Sequence, residues 1–233
     1  MTQEGKTVLT KPQEKQDRLR RLTGGRFAFL LASLLLLIVV HPFIQQAWVP
    51  LTGILTSAVI VAGIYSVVSD RRFLITALAL VTPALISRWL LYFSTVPWLV
   101  IVDFVSDIAF FGFNTYAILS YVLRQRTVSV DIMYGAACAY LLIGVVWGII
   151  YALLEFVQPG SFDFAGAAAM NVNELAGTML YYSFVTLTTL GYGDFIPVTP
   201  PARSLSFLEA VLGQLYLAIL IARLVGMHIS WKD

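Results

Sequence analysis

The sequence predicts an all-α membrane protein, and three observations support this fold class. Hydrophobic residues make up 59% of the 233 residues, charged residues make up 12%, and the mean hydropathy is +0.83. Six apolar stretches are long enough to cross a bilayer, whose hydrocarbon core takes about 20 helical residues. The connections are short and lack the alternation of a β-barrel, so we expect the spanning elements to be helices.

The predicted spans follow one another closely along the chain. They run approximately from Phe27 to Ile44, Trp48 to Val68, Phe73 to Phe93, Pro97 to Leu123, Ile132 to Val157 and Ser204 to Met227. No small-residue cleavage site follows the first span, so we expect it to remain in the protein as a transmembrane helix.

Basic residues fall on alternate connections, and this predicts the orientation. The connections IQQAW and STVP have none, whereas the second-to-third connection, the fourth-to-fifth connection and both ends carry Lys6, Lys11, Lys15, Arg18, Arg20, Arg21, Arg26, Arg71, Arg72, Arg124, Arg126 and Lys232. Cytoplasmic loops are enriched in lysine and arginine, so both termini are predicted to be cytoplasmic. The basic segment 1–26 either rests on anionic lipid or is only a solvated topology signal.

The stretch between the fifth and sixth spans differs from the other connections. It begins with the small, mildly polar QPGSFDFAGAAAMNVNELAG and continues as TMLYYSFVTLTTL, which is apolar but too short to cross the membrane. We expect a re-entrant helix that enters from outside, stops within the membrane and returns as GYGDFIPVTPPAR. Non-helical backbone at that depth must be buried in protein or line a watery path.

The segment TLTTLGYGD, residues 186–194, resembles the potassium-channel signature Thr-x-x-Thr-x-Gly-Tyr-Gly-Asp. A glycine–tyrosine–glycine run alone is also typical of a turn, but the full pattern in a re-entrant segment favours a selectivity filter. The resemblance covers about residues 130–228, and the first four spans only in number and order. It implies a pore domain at 132–233, a linker at 124–131 and a four-helix peripheral domain at 27–123.

This resemblance implies that backbone carbonyls bind potassium ions that have lost their water. The expected ion-binding residues are Thr189, Leu190, Gly191, Tyr192 and Gly193, with Asp194 at the outer mouth and Tyr181, Tyr182, Thr186, Thr188 and Glu209 as support. Carbonyls that all point one way require left-handed backbone angles at intervals, which glycine adopts cheaply. One loop cannot enclose a pore, so a homotetramer is expected.

The sixth span is expected to line the inner cavity. Helical periodicity puts one set of residues on a common face toward the pore: Gln214, Leu217, Ala218, Ile221 and Val225. Of these, Ile221 or Val225 could form a hydrophobic constriction. Gly213 is either a hinge or a packing residue, and Gly144 and Gly148 of the fifth span form a packing face.

Two charged residues of the sixth span are expected to point away from the axis. Glu209 is expected to hydrogen-bond the pore helix or its threonines, in a structural role or, alternatively, one in permeation. Arg223 is expected to reach the cytoplasmic interface.

The fourth span lacks the arginine stripe of a voltage sensor and instead carries Asp103, Asp107 and Asn114 on one side. We therefore expect opening to depend weakly on voltage. Arg88 of the third span lies at a depth that matches Asp103, so the two are expected to form an ion pair or, alternatively, to serve gating or ligand binding. Asp107 has no evident cationic partner in the sequence.

Several function classes are excluded or left as alternatives. His41 and His228 lie near opposite faces and no nucleophile–base or metal-ligand spacing is present, so we expect no enzyme, no cofactor and no metal besides potassium. Cys138 alone forms no intrachain disulfide. The alternatives are a potassium transporter subunit with a channel-like loop and a regulatory subunit that conducts little. Little chain follows the sixth span, so no regulatory domain is expected there, and resemblance to compact prokaryotic channels implies a bacterial cell membrane.

Overall fold

A computed structural model describes residues 25–44, 49–67, 71–93, 96–125, 129–164 and 170–229, which are mostly helical. The helices are α1 (Arg26–Ile44), α2 (Val49–Val67), α3 (Arg71–Phe93), α4 (Pro97–Arg124), α5 (Val130–Val157), α6 (Val172–Leu187) and α7 (Pro200–Ile229). Two short strands, β1 (Phe162–Asp163) and β2 (Ile196–Pro197), pair antiparallel between α5 and α7. Most of the predicted N-terminal segment, residues 1–24, lies outside the described residues.

Four of the described helices are long and apolar enough to cross a membrane. These segments are Arg71–Leu91, Pro97–Arg124, Val130–Val157 and Pro200–Arg223. The apolar parts described for α1 and α2 are shorter, at Arg26–Val40 and Thr56–Ser66. The third to sixth predicted spans therefore meet the length requirement, and six spans in total remain a prediction.

Two helix starts differ from the expected positions. The re-entrant stretch was expected to become helical near Thr178, but α6 begins at Val172, because Asn171 and Glu174 form a capping box. The last helix begins at Pro200 instead of Ser204, since proline is well suited to the first turn, where no backbone donor is needed. Both differences lengthen the helices that flank the loop 188–199.

Helix α5 packs against four other helices and joins the two hydrophobic cores of the protein. It contacts α1 and α4 in one direction and α6 and α7 in the other. One core is built from α1 to α5 and includes Phe27, Phe110 and Leu142, while the other includes Tyr151, Met179 and Tyr182. Since α5 contributes to both cores, it sets the position of α6 relative to the first four helices.

Close packing between α5 and α6 depends on two glycines. A Cβ on Gly144 would lie 2.7 Å from the ring of Phe184, and one on Gly148 would lie 2.8 Å from the Cα of Leu180. Real Cβ atoms do not approach other atoms so closely. The expected packing face of α5 is therefore the face that receives α6.

Candidate functional site: the loop that follows α6

The loop begins where α6 ends, and its first amides are bonded back to that helix. Thr188 N donates to Phe184 O over 3.1 Å, and Leu190 N and Gly191 N both donate to Val185 O, over 2.9 and 3.3 Å. These bonds satisfy carbonyls that a helix end leaves without partners. They also tie the start of the loop to a helix whose inner face is buried.

The loop backbone alternates in handedness from one residue to the next. Thr189, Gly191 and Gly193 have positive φ angles of 58°, 58° and 75°, while Leu190 and Tyr192 are not in that region. The left-handed angles expected at the two glycines are therefore present. The angle at Thr189 is unexpected, because a β-branched residue in this conformation is a rare outlier whose strain costs about 1–3 kcal/mol.

The loop has almost no cover from its own chain. Residues 188–194 are all exposed, including two large side chains, Leu190 at 54% and Tyr192 at 66%. A Cβ on Gly191 or Gly193 would meet nothing within 4 Å. Glycine is thus needed at these positions because of the backbone angles, and not because a Cβ would lack space.

The outer end of the loop is held by a tyrosine and by the strand pair. Tyr181 donates its hydroxyl to Asp194 Oδ2 over 2.8 Å, and its ring meets Phe195 edge-on. Asp194 Oδ1 also accepts from Phe195 N over 3.1 Å. After the loop, Val198 N donates to Ser161 O, next to the β1–β2 pair.

The inner end of the loop lies beside α7. Gln214 Nε2 donates to Thr189 Oγ1 at a long distance of 3.4 Å, so the side chain expected below the loop does lie next to it. Thr188 Oγ1 donates to Phe184 O in the last turn of α6 over 2.6 Å. Thr186 accepts the amide of Thr189 through its own carbonyl.

Tyr182 contacts a different element from its neighbour Tyr181. Its hydroxyl lies 2.6 Å from Ser206 Oγ of α7, and its ring packs edge-on against Tyr151 and Phe162. Both tyrosines were expected to brace the loop from behind. The hydroxyl of Tyr182 joins α6 to α7, whereas that of Tyr181 bonds Asp194 of the loop.

A buried hydrogen-bond network joins α5, α6 and α7. Glu209 is fully buried and accepts from Tyr151 Oη over 2.6 Å, while its other oxygen lies 2.5 Å from Ser183 Oγ. Ser183 Oγ also donates to Gly144 O over 2.7 Å. The carboxyl therefore does bond α6, through a serine instead of the threonines.

The other expected residues of α7 lie at or near one exposed strip of the single chain. Gln214, Ala218 and Ile221 are exposed, and Leu217 is half-buried. The side chain of Val225 lies outside the described residues. Gly213 is buried, and a Cβ there would overlap the carbonyl oxygen of Leu187 at the end of α6. This contact favours packing over a hinge as the reason for glycine.

Sequence reasoning did not predict that Arg223 links two helices. Its guanidinium donates to the carbonyl oxygens of Leu123 and Gln125, over 2.5 and 2.8 Å, instead of extending into water. These carbonyls belong to the end of α4, where backbone carbonyls have no N–H donor within the helix. No sequence pattern indicates such a contact, since the two partners are about a hundred residues apart along the chain.

The charged residues of α3 and α4 form a triad and not the simple pair that was expected. Arg88 Nη2 lies 2.6 Å from Asp107 Oδ2 and 3.5 Å from Asp103 Oδ2. Arg88 is therefore a cationic partner of Asp107, which was not evident from the sequence. Asp103 is also held by Ser87 Oγ over 2.8 Å. Asp107 lies one helical turn after Asp103, so both carboxylates face α3 and one arginine reaches both.

Comparison with known proteins finds similarity over part of the chain. Residues 136–229 match a family described as "Ion channel". A relative, "Two pore potassium channel c" of Oryza sativa subsp. japonica, is 36% identical over 95 residues, which is 41% of this chain and 18% of that protein. The chain thus spans a small part of the length of this relative. No solved structure matches.

The matched region is similar to ion channels, which are not enzymes. It contains most of α5 and all of the elements that surround the loop, namely α6, the strand pair and α7. The apolar helices and this domain indicate an integral membrane protein.

Proposed function

We propose that this chain is one subunit of a potassium-selective channel, in which backbone carbonyls of Thr189, Leu190, Gly191, Tyr192 and Gly193 bind the dehydrated ion. The observation that carries the proposal is the alternation of φ along these residues. In an ordinary strand, successive carbonyls point to opposite sides. Reversing the handedness at every second residue turns them to one side, where a row of oxygens can replace the water around a cation.

The shape of the loop in one chain supports a homotetramer. The apolar side chains of Leu190 and Tyr192 and the strip along α7 are exposed although they belong to the segment with the channel match. Copies related by a closed rotation would cover these side chains and surround the carbonyl row. Part of α7 would then line the cavity and part would face neighbouring subunits.

The surroundings of the loop favour a cation over an anion. The carboxyl end of α6, which ends at Leu187, carries partial negative charge close to the inner end of the loop. Asp194 adds a carboxylate at the other end, so four copies would form a negative ring at the outer mouth. The potassium channel relative supports potassium as that cation.

The proposed gating is weakly dependent on voltage. Arg124 is the single basic residue of α4 and lies at its last position, so no arginine stripe crosses the field. A hydrophobic constriction at Ile221 or Val225 would close the inner cavity by excluding water. The proposed orientation has both termini in the cytoplasm, with six spans in a prokaryotic cell membrane.

The test is ion flux into liposomes that contain the purified full chain. Potassium and rubidium should enter well, while sodium and lithium should enter at least about a hundred times more slowly, because carbonyls replace the hydration of the larger ions. Equal sodium and potassium flux would refute selectivity. Tetramers with no flux at all would favour a regulatory subunit, and flux that requires a second ion gradient would favour a transporter subunit.

A matched pair of glycine variants tests the role of the backbone. Gly191 and Gly112 both have open space where a Cβ would lie, but only Gly191 has a positive φ. The left-handed conformation costs an L-residue roughly 1–2 kcal/mol. We expect Gly191→Ala to lose potassium selectivity while Gly112→Ala in α4 retains it, and equal behaviour of the two variants would contradict the proposal.

A further inference from the structure

One side chain of α7 reaches the loop that follows α6. Gln214 Nε2 lies 3.4 Å from Thr189 Oγ1 and donates to it, and both residues are exposed in the single chain. The amides at the start of the loop all donate to carbonyls of α6. The contact with Gln214 therefore ties the loop to a second helix.

Thr189 has a backbone conformation that its own side chain disfavours. Its φ angle is 58°, in the left-handed region, where a β-branched residue is a rare outlier. Gly191 and Gly193 also have positive φ angles, but they have no Cβ and adopt them without steric cost. A strained residue keeps such a conformation only when its surroundings hold it there. Thr189 therefore depends on its contacts in a way that the two glycines do not.

The backbone and the side chain of Thr189 are held by different elements. Its amide donates to Thr186 O over 2.9 Å, and the next two amides donate to Val185 O. These bonds fix the direction in which the chain leaves α6, but none of them involves Thr189 Oγ1. Relaxation of the φ angle would swing Cβ and Oγ1 about the backbone, so the bond from Gln214 opposes it.

The place of Gln214 beside the loop is set by backbone contact between two helices. A Cβ on Gly213 would overlap the carbonyl oxygen of Leu187, so α7 touches the end of α6 one residue before Gln214. Gly213 is also buried, which fixes the rotation of α7 at this point. The side chain of Gln214 thus begins close to the loop and reaches Thr189 with its terminal amide.

We propose that Gln214 is a positioning residue for ion binding, which holds Thr189 in its left-handed conformation and keeps the innermost carbonyl of the loop in line with the others. This inference rests on the proposed function of residues 189–193 as a row of ion ligands. If Thr189 relaxes, its carbonyl turns out of the row. A site with fewer fixed oxygens discriminates less between potassium and sodium.

The test is the ratio of potassium flux to sodium flux into liposomes that contain the purified full chain. Gln214→Met removes the amide from a side chain of similar length, and Gln214→Asn keeps the amide on a side chain one methylene shorter. The matched control is Leu215→Met, which places the same new side chain at the adjacent exposed position of α7. Leucine and methionine are similar in volume, so the control disturbs packing little.

Gln214→Met should lower the flux ratio at least about fivefold, since one neutral hydrogen bond commonly changes an equilibrium constant by about that factor. Gln214→Asn should lower it as well, because the shorter side chain does not reach Thr189. Leu215→Met should change the ratio less than about twofold, as is usual for exposed substitutions. An unchanged ratio in Gln214→Met would overturn the proposal, and so would an unchanged ratio in Gln214→Asn, since polarity at position 214 would then suffice.

A rescue variant tests the role of strain. Thr189→Ser keeps the hydroxyl but removes the β-branch, so the left-handed angle costs less. The double variant Thr189→Ser with Gln214→Met should have a flux ratio within about twofold of that of Thr189→Ser alone. If Gln214→Met lowers the ratio as much in the serine background as in the unmodified chain, Gln214 does not act by holding a strained residue and the proposal is wrong.

Failure of this inference and failure of the proposed function give different results. Equal sodium and potassium flux through the unmodified chain would refute the ion-binding loop itself. A selective unmodified chain and an equally selective Gln214→Met variant would leave the loop proposal intact and refute the role of Gln214.

Discussion

Replacing Glu209 with leucine should destabilise the protein, whereas replacing it with glutamine should have little effect. The reason lies in the count of hydrogens around the buried carboxyl. Ser183 has one hydroxyl hydrogen but two acceptors within bonding distance, Gly144 O at 2.7 Å and the carboxyl oxygen at 2.5 Å. Every contact is satisfied if Glu209 is a neutral acid that donates to Ser183, while Ser183 donates to Gly144 and Tyr151 donates to Glu209.

The expected change in the free energy of unfolding depends on which groups each variant leaves without a hydrogen-bond partner. Leucine at position 209 removes the carboxyl oxygen that accepts from the fully buried Tyr151 hydroxyl, which costs about 1–3 kcal/mol. Glutamine can donate to Ser183 with its amide nitrogen and accept from Tyr151 with its oxygen, so we expect a change below about 1 kcal/mol. If Glu209 were instead an ion, both variants would lose charge-assisted bonds worth about 1.5–3 kcal/mol each.

The assay is urea unfolding of each variant in mild detergent, followed by tryptophan fluorescence. Trp147 lies 5.8 Å from Tyr151 between ring centres, so part of the signal reports on this network. The variant Tyr151→Phe and its combination with Glu209→Leu complete a double-mutant cycle. We expect a coupling of about 0.5–3 kcal/mol, the range for residues in one network. A Glu209→Gln variant as unstable as Glu209→Leu would refute the hydrogen count.

Two further predictions concern other contacts between helices. Gly213→Ala should lower the urea midpoint, since the new methyl overlaps a backbone oxygen and overpacking costs about 1–3 kcal/mol. Gly226→Ala in the same helix meets nothing within 4 Å and should leave the midpoint unchanged or raise it, so equal effects would contradict a packing role. Arg88→Gln leaves two carboxylates together without their counter-charge, and it should reduce the yield of folded protein measured by size-exclusion chromatography. The double variant Arg88→Gln with Asp107→Asn restores the charge balance and should recover the yield, and no recovery would mean that charge is not the cause.

The helices could be predicted from sequence because apolar length alone dictates them. A helix that crosses hydrocarbon must satisfy its own backbone, and this leaves few alternatives for a long apolar run. The start of α6 was misplaced because apolarity does not mark where a helix begins. The capping pair Asn171 and Glu174 marks the start of α6, and this pair could have been recognised in the sequence.

The candidate loop could also be predicted in outline. Two glycines at alternate positions indicate backbone angles that other residues avoid, and Gly191 and Gly193 have those angles. The strained angle at Thr189 could not be predicted, since threonine alone disfavours it. It is held by the amides that bond back to α6, which depend on how the helix ends.

The sequence by itself determined that the chain is a helical membrane protein, and it predicted the left-handed backbone angles of Gly191 and Gly193 in the loop after α6. Hydrophobic length, charge distribution and glycine spacing are local properties. Their effect on the structure does not depend on tertiary contacts with the rest of the chain. Only the tertiary structure decided that Arg88 reaches Asp107, that Glu209 bonds Ser183 and Tyr151, and that Arg223 bonds the end of α4. Each of these contacts depends on the rotation of one helix about its axis and its shift along a neighbour. Close packing sets both the rotation and the shift, and the hydrophobic periodicity of a single helix does not predict either of them.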